Sequence, residues 1–266
     1  MKIGFIGTGN MGGALARAAA KGGHTLLLAN RTPAKAAVLV KELGGTVCQN
    51  AEAAETAELL FLGVKPQGLP GLAGELAPVL QARKGNAPVV VSMATAVTLR
   101  ELDAMLGGGL PLIRIMPNTP AAVGAGTILY AAQNVTDAQL DAFRAVLAQA
   151  GLLLPLPEEK IDAASAISGC GPAFCFQFAD ALALGGVRAG LSYPDACRLA
   201  AQTMLGAAEM LLQGGEAPDV LKMRVCSPAG TTIEGVLALE QGGFSYTVQN
   251  AVTAAYRRTV EMTRKG

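Results

Sequence analysis

The chain has 266 residues, of which 51% are apolar and only 15% are charged, with 21 basic and 20 acidic side chains. This length predicts two domains or one large one, and the absence of a basic tail or Lys/Arg block argues against nucleic acid as a partner. The sequence shows no uninterrupted apolar run of membrane-spanning length and no signal peptide, so we expect a cytoplasmic protein without a membrane partner.

The amino-acid composition also bears on the oligomeric state and on metal binding. Soluble proteins average roughly 25% charged residues, so the low charge of this chain predicts a homo-oligomer that buries part of its surface. The five cysteines form no CxxC pair, and the sequence has a single histidine, His24. We therefore expect no disulfide framework, no metal site and no Ser-His-Asp triad, and we interpret His24 as a loop residue.

The first half of the chain alternates strand and helix patterns. Near-continuous apolar runs predict strands at Ile3–Ile6, Thr25–Ala29, Leu59–Val64, Val89–Ser92, Leu112–Met116 and Leu152–Leu156. Helical spacing lies between the first of these, at Ala14–Lys21 and Ala34–Leu43. Buried strands separated by helices are typical of a parallel, doubly wound sheet, so we predict an N-terminal Rossmann domain.

The pattern changes after Leu156, where no strand signal remains. Alanine-rich helical patterns cover Glu158–Ile167, Pro172–Gly186, Pro194–Gln213, Ile233–Leu239 and Ser245–Arg264. The sequence therefore predicts two domains: a Rossmann domain over residues 1–156 and a helical domain over residues 157–266.

A glycine-rich turn follows the first predicted strand. Its residues are Gly7, Thr8, Gly9, Asn10, Met11 and Gly12. In a G-x-G-x-x-G turn the first glycine permits a sharp bend, the second lets the backbone approach a pyrophosphate and the third allows close helix packing. The amides at the start of the next helix then face an anion. The alternative is a glycine turn without a ligand; we predict a dinucleotide site.

The end of the second predicted strand indicates which dinucleotide. NAD-preferring sites place Asp or Glu there for the ribose 2′-hydroxyl, whereas this chain has Asn30, Arg31 and Thr32. An arginine can bind a 2′-phosphate with paired donors, and Asn30 and Thr32 can add hydrogen bonds. A solvated surface arginine is the alternative reading. The segment favours NADP(H) and leaves NAD(H) open.

Two later loops are expected to border the cofactor, since ligands sit beyond the carboxyl ends of parallel strands. The candidate residues are Val64, Lys65 and Pro66 in one loop and Pro117, Asn118 and Thr119 in the other. Prolines fix such loops and the polar groups could meet ribose or nicotinamide, although a purely structural role is also open.

In the helical half, a Ser-Pro-x-Gly-Thr-Thr turn at Ser227–Thr232 precedes a predicted helix. Free backbone amides and hydroxyls at a helix start suit a small carboxylate, but an ordinary threonine N-cap fits the same residues. The spacing by itself leaves both readings open.

The order and spacing of five motifs resemble the pyrroline-5-carboxylate reductase family, from residue 3 to about residue 255. The motifs are Ile6–Met11, Val64–Gln67, Met116–Pro120, Ser168–Phe174 and Ser227–Thr232. The resemblance implies reduction of 1-pyrroline-5-carboxylate to proline. It also implies a helical domain like that of 6-phosphogluconate dehydrogenase, intertwined with a second subunit in a homodimer or an oligomer of dimers.

The resemblance also implies residue roles, with substrate between the nicotinamide and the 227–232 loop. Ser227, Gly230 and Thr231 would hold the substrate carboxylate. Thr232 would hydrogen-bond the ring nitrogen and is the candidate catalytic residue, and Asn50 would lie near the adenosine ribose.

Two residues depart from the family pattern. Ala229 stands where a glycine is usual, so that position must avoid a positive φ or carry strain. Cys170 stands where serine is common, which puts a serine hydrogen bond there in doubt.

Three other functions compete with this one. A β-hydroxyacid dehydrogenase would need a lysine on the first long helix of its second domain, and no lysine lies between Lys160 and Lys222. A reductase of another cyclic imine remains open, because the same loop could hold a larger ring. A catalytically silent NADP(H)-sensing module would have no need for the carboxylate turn.

Overall fold

The computed structural model describes residues 1–83 and 85–263, and the N-terminal part of the chain forms an eight-stranded sheet. The strands are β1 (Lys2–Ile6), β2 (Thr25–Ala29), β3 (Thr46–Val47), β4 (Leu59–Leu62), β5 (Val89–Ser92), β6 (Leu112–Pro117), β7 (Gly126–Gln133) and β8 (Gly151–Pro155). All six predicted strands are confirmed, with their ends shifted by no more than two residues. The sequence patterns did not reveal β3 and β7.

The strand order is β3-β2-β1-β4-β5-β6-β7-β8, and every neighbouring pair is parallel except β6 and β7. The predicted Rossmann sheet is confirmed, and β7 corrects the expectation that all of its strands are parallel. Only residues 118–125 connect β6 to β7, and a parallel return needs a crossover of about a dozen residues or more. The short connection therefore turns the chain back antiparallel.

Seven helices of the described residues cover the two faces of this sheet. They are α1 (Asn10–Ala20), α2 (Pro33–Leu43), α3 (Asn50–Thr56), α4 (Leu69–Ala82), α5 (Leu99–Met105), α6 (Asp137–Leu147) and α7 (Glu158–Ser168). Helices α1, α2 and α6 bury their apolar residues on one face, while α3, α4, α5 and α7 do so on the other. Both faces of the central strands are thus buried, which explains their uninterrupted apolar sequences.

The chain divides into two compact units, one containing residues 1–170 together with the chain from Ala255, the other containing Gly171–Ala254. Helix α7 belongs to the first unit because the buried Arg114 of β6 pairs with Asp162 at 2.6 Å and with Glu158 at 3.4 Å. The domain boundary near Leu156 stays a prediction, since β8 ends beside it but α7 remains on the sheet.

The second unit is helical, as predicted. Its helices are α8 (Gly171–Arg188), α9 (Tyr193–Gly214), α10 (Pro218–Val225), α11 (Thr231–Gln241) and most of α12 (Phe244–Thr263). Helix α10 was not predicted, and Arg264, the expected end of α12, lies outside the described residues. Large apolar side chains remain exposed in this unit, including Phe176 at 71% and Leu212 at 80%. Helices of this unit therefore present apolar surface that the chain does not itself cover.

One helical stretch among the described residues, Glu158–Arg188, is long and apolar enough to cross a membrane by length and composition alone. It comprises α7 and α8, where the sequence pattern predicts no uninterrupted apolar run of this length. A helix whose apolar side faces another subunit passes the same criterion, so this stretch is weak evidence for a membrane span.

Candidate active site

Close backbone contacts explain the glycines that join β1, α1 and β4. Gly7 has φ = +97°, and a Cβ built on it would lie 2.5 Å from the carbonyl oxygen of Gly63. A Cβ on Gly12 would overlap the carbonyl oxygen of Gly7. The strand order reverses between β1 and β4, which is where open α/β sheets bind ligands. The glycines therefore bring three elements together at the expected binding crevice.

Gly9 has a different environment, because a Cβ built on it would meet no atom within 4 Å. It is the N-cap of α1, makes no side-chain capping hydrogen bond, and is followed by Asn10 and Met11 with no acidic residue in the first turn. Uncapped amides and the positive end of the helix dipole favour an anion at this position. The geometry fits the pyrophosphate of a dinucleotide, which would fill the space beside Gly9.

The predicted 2′-phosphate segment leaves the Arg31 side chain unpaired. Asn30 donates its side-chain amide to the hydroxyl of Thr8 at 2.8 Å and accepts from the backbone N–H of Thr32 at 3.4 Å. Its polar atoms thus join β2 to the glycine turn. The exposed Arg31 forms no hydrogen bond or ion pair with another described residue, so its guanidinium is available for a ligand.

A pocket of about 270 Å³ lies beside Arg31. It is lined by Asn30, Arg31, Pro33, Val47, Cys48, Gln49, Asn50 and Glu52. The side-chain amide of Asn50 donates to a carboxylate oxygen of Glu75 at 3.0 Å. Burial, followed by the nearby charge of Glu52, raises the pKa of the Cys48 thiol to about 11. The pocket thus brings together three of the predicted cofactor residues, Asn30, Arg31 and Asn50.

The loop after β4 lies at the same edge of the sheet. Val64 is half-buried against the core, Lys65 is exposed and Pro66 begins a 3-10 helix at Pro66–Gly68. These positions leave the Lys65 side chain free to reach a ligand while the proline holds the backbone. Contact of all three residues with a cofactor stays a prediction.

In the loop after β6, one polar residue is used within the protein and its neighbour is exposed. Asn118 is 7% exposed, donates its side-chain amide to the carbonyl oxygen of Ser168 at 2.8 Å, and accepts from the N–H of Thr127 at 2.8 Å. Pro117 is buried at the end of β6, whereas Thr119 is exposed and begins a 3-10 helix at Thr119–Val123. Both polar ends of Asn118 are thus used within the protein, and Thr119 carries the polar side chain of this trio that is open to a ligand.

A loop that sequence reasoning missed follows β5, between the ends of β4 and β6. Ala96 in this loop has φ = +61°, although it is not glycine, and Ser92 accepts from the N–H of Ala94 at 3.3 Å. The loop ends at Thr98, which caps α5 reciprocally with Glu101. By its place in the sheet it borders the same crevice. The signal available was its position directly after an apolar strand, with Thr95 and Thr98 as its polar residues.

The Ser227–Thr232 segment of the second unit forms a tight turn and a helix start. The N–H of Gly230 donates to the carbonyl oxygen of Ser227 at 3.0 Å, with Pro228 and Ala229 between them. Ala229 has φ = +54°. Of the two alternatives that the sequence allowed, avoiding a positive φ or carrying backbone strain, the structure shows the second. Pro followed by a residue with positive φ is the pattern of a type II turn, where that second position normally holds glycine.

This turn leaves the start of α11 open. Gly230 is the N-cap and makes no side-chain capping hydrogen bond, and a Cβ on it would overlap the hydroxyl oxygen of Ser227. Thr231 and Thr232 are the first two residues of α11, the former exposed and the latter half-buried. The N-cap is thus Gly230 and not a threonine, which was one of the two readings left open by the sequence. The first amides of α11 are free to bind a small anion.

The described residues contain no group of three or more His, Cys, Asp or Glu side chains that could hold a metal ion. The fold and the glycine turn define a dinucleotide-binding protein of the Rossmann class with a second, helical unit. Residues 158–262 match the family model described as pyrroline-5-carboxylate reductase dimerisation, and residues 2–96 match one described as NADP oxidoreductase coenzyme F420-dependent.

Individual relatives agree along the length of the chain. Pyrroline-5-carboxylate reductase of Synechocystis is 42% identical, covering 81% of this chain and 79% of its own. The solved pyrroline-5-carboxylate reductase of Coxiella burnetii has a TM-score of 0.89 at 31% identity over 97% of each chain. That of Plasmodium falciparum, solved with NADP bound, has a TM-score of 0.86 at 30% identity over 99% of each chain. The chain belongs to the pyrroline-5-carboxylate reductase family, which confirms the predicted family and fold.

Proposed function

We propose that this chain reduces 1-pyrroline-5-carboxylate to L-proline with NADPH, the last step of proline biosynthesis. Family membership supports the activity. The observation that carries the proposal is the uncapped start of α11, where Gly230 leaves the amides of Thr231 and Thr232 without side-chain partners. A free helix N-terminus beside hydroxyl groups suits a substrate that has a carboxylate and a ring nitrogen.

The cofactor would be held by the crevice at the carboxyl edge of the sheet. The residues proposed for it are Gly7, Gly9, Asn10, Met11, Gly12, Asn30, Arg31, Thr32, Asn50, Val64, Lys65, Pro66, Pro117, Asn118 and Thr119. Both polar ends of the Asn118 side chain are used within the protein, so its proposed part is indirect, through the backbone that it holds. When bound, NADPH supplies the hydride for the reaction.

The substrate would be held at the Ser227–Thr232 turn. Ser227, Gly230 and Thr231 receive the carboxylate through hydroxyl and backbone N–H groups. Thr232 donates its hydroxyl to the ring nitrogen, or relays a proton to it through water. A threonine hydroxyl is a weak acid near neutral pH, so its part is orientation rather than strong acid catalysis. A protonated imine already accepts hydride well, and positioning supplies most of what the protein must add.

The test measures the decrease of NADPH absorbance in the presence of racemic pyrroline-5-carboxylate. A parallel assay replaces NADPH with NADH. We expect oxidation well above background, faster with NADPH. Thr232→Ala should lower kcat/KM by about tenfold or more, and Thr232→Ser, which keeps the hydroxyl, should retain most of the activity. Full activity in Thr232→Ala would remove Thr232 from the mechanism, and no NADPH oxidation by the wild type would overturn the enzyme assignment in favour of an NADP(H)-sensing module.

A reductase of another cyclic imine is the nearest competing function. The turn at Ser227–Thr232 would bind a carboxylate and a ring nitrogen. A six-membered cyclic imine with a carboxylate has both groups. If kcat/KM for the six-membered substrate equals or exceeds kcat/KM for pyrroline-5-carboxylate, the chain is a reductase of the six-membered imine instead. A β-hydroxyacid dehydrogenase is disfavoured because neither α8 nor α9 contains a lysine.

The match to a dimerisation model supports subunit association, and we propose a cytoplasmic homodimer or oligomer of dimers without nucleic-acid or membrane partners. Within the second unit an apolar cavity of about 510 Å³ is lined by residues that include Phe174, Phe178, Leu182 and Phe244. A second copy of the unit would remove such surface from water. Light scattering on the purified protein should give a multiple of two subunits, and a monomer would contradict the proposal.

A further inference from the structure

The pocket beside Arg31 contains two opposite charges. Of its lining residues, Arg31 and Glu52 are the charged ones, and the structure shows no ion pair between them. Glu52 lies in the first turn of α3, whereas Arg31 lies two residues after the end of β2. A ligand in this pocket would therefore meet a cation from one wall and a carboxylate from another.

The charge of Glu52 reaches the interior of the pocket. Its carboxylate contributes to the raised pKa of Cys48, a half-buried residue of the same lining. The other carboxylate near this wall, that of Glu75, accepts the hydrogen bond from Asn50. Glu55, in the next turn of α3, is exposed and does not line the pocket. Glu52 is thus the carboxylate that faces the pocket.

We propose that Glu52 is a specificity-determining residue that moderates the preference of Arg31 for NADPH and permits use of NADH. This inference rests on the proposed function, which places the adenosine ribose in this pocket. A 2′-phosphate carries nearly two negative charges at neutral pH and is repelled by a carboxylate. A 2′-hydroxyl is neutral and can donate a hydrogen bond to the same carboxylate. The Glu52 carboxylate thereby weakens the binding of NADPH and strengthens the binding of NADH.

The experiment compares the ratio of kcat/KM for NADPH to kcat/KM for NADH in the wild type, Glu52→Gln and Glu55→Gln. Glu55→Gln removes the same charge from the same helix outside the pocket, and is the matched control. We expect Glu52→Gln to raise the ratio threefold to tenfold, with tighter NADPH binding as the main cause. Glu55→Gln and the charge-retaining Glu52→Asp should remain within twofold of the wild type.

Dissociation constants of both dinucleotides, measured by fluorescence without substrate, separate this inference from the proposed activity. If the wild type reduces no imine, the proposed function fails, while the ratio of dissociation constants still tests Glu52. An unchanged or lower ratio in Glu52→Gln would overturn the inference. An equal rise in Glu55→Gln would do the same, because it would show an effect of net charge rather than of the pocket.

Discussion

Asn118 donates its side-chain amide to the main-chain carbonyl of Ser168 at 2.8 Å, and so joins the end of β6 to the last turn of α7. The same side chain accepts from the backbone N–H of Thr127 at the start of β7. Three elements of the first unit thus depend on one buried amide. The carbonyl groups at a helix end lack intrahelical partners, and here a side chain from another element supplies one.

Asn118→Asp should destabilise the protein because it replaces the donor to Ser168 with an oxygen while it keeps the acceptor for Thr127. An unpaired, half-buried carbonyl facing a carboxylate should lower the free energy of unfolding by about 1–3 kcal/mol. Urea unfolding measures this effect. The neighbouring exposed Thr119→Ala should change the free energy of unfolding by less than about 0.5 kcal/mol. An equally small change in Asn118→Asp would show that the hydrogen bond from Asn118 to Ser168 adds no net stability.

Alanine substitutions at Gly9 and Gly12 should separate folding from cofactor binding. Gly9 has φ = −72° and open space around it, so Gly9→Ala should leave the free energy of unfolding unchanged or slightly raised. Its methyl group would occupy the proposed pyrophosphate position, and the Kd for NADPH should rise by about tenfold or more. Unaltered NADPH binding in a folded Gly9→Ala variant would argue against this position.

Gly12→Ala is expected to act on the fold instead. Its Cβ would overlap the backbone of Gly7, which cannot rotate away as a side chain would. Overpacking of this kind should lower the free energy of unfolding by about 1–3 kcal/mol. Thermal unfolding of Gly9→Ala and Gly12→Ala in parallel measures the contrast, and similar stability of the two variants would contradict it.

The left-handed backbone at Ala229 predicts a mild effect for one substitution and a disruptive effect for another. Ala229→Gly removes the steric cost of a Cβ at φ = +54° but adds entropy to the unfolded chain, so the free energy of unfolding should change by less than about 1 kcal/mol. Ala229→Val places a branched side chain in a conformation it rarely adopts. We expect Ala229→Val to raise the KM for pyrroline-5-carboxylate by displacing Ser227 and Gly230. A KM equal to that of the wild type would mean that the turn tolerates rearrangement.

Arg114 should contribute to stability through α7. The side chain is 3% exposed, its Nε has no hydrogen-bond partner, and its pairs with Glu158 and Asp162 join β6 to the helix. Arg114→Met leaves two partly buried carboxylates without a cation, which should lower the free energy of unfolding by about 2–4 kcal/mol. Arg17→Met breaks the half-exposed pair with Glu42, which solvent screens, and should lower the free energy of unfolding much less. Denaturant unfolding of both variants measures the difference, and equal losses would contradict it.

Local patterns determined the elements whose environment is uniform along their length. Strands β1, β2, β4, β5 and β6 are buried on both faces over nearly all of their length, so their sequences are almost continuously apolar and can be recognised without a structure. Strand β7 was missed because it follows β6 after a short loop and carries a mixed sequence with Thr127, Tyr130 and Gln133. Its antiparallel pairing depends on the length of a connection, which periodicity does not report.

For the site, the sequence by itself determined the residue types that a turn or a helix start requires. Glycines at Gly7 and Gly12 are required by contacts between backbones, and a Cβ at Gly230 would crowd the hydroxyl of Ser227, so these motifs appear in the sequence as fixed spacings. Only the tertiary structure decided which polar groups remain free for a ligand. Asn118 and Arg31 both follow strands of the same sheet. The side-chain amide of Asn118 is hydrogen-bonded to the backbones of Ser168 and Thr127. The Arg31 guanidinium, in contrast, has no partner among the described residues. A hydrogen-bonding group can serve a ligand only when the fold leaves it unpaired, and its partners come from residues distant in the chain.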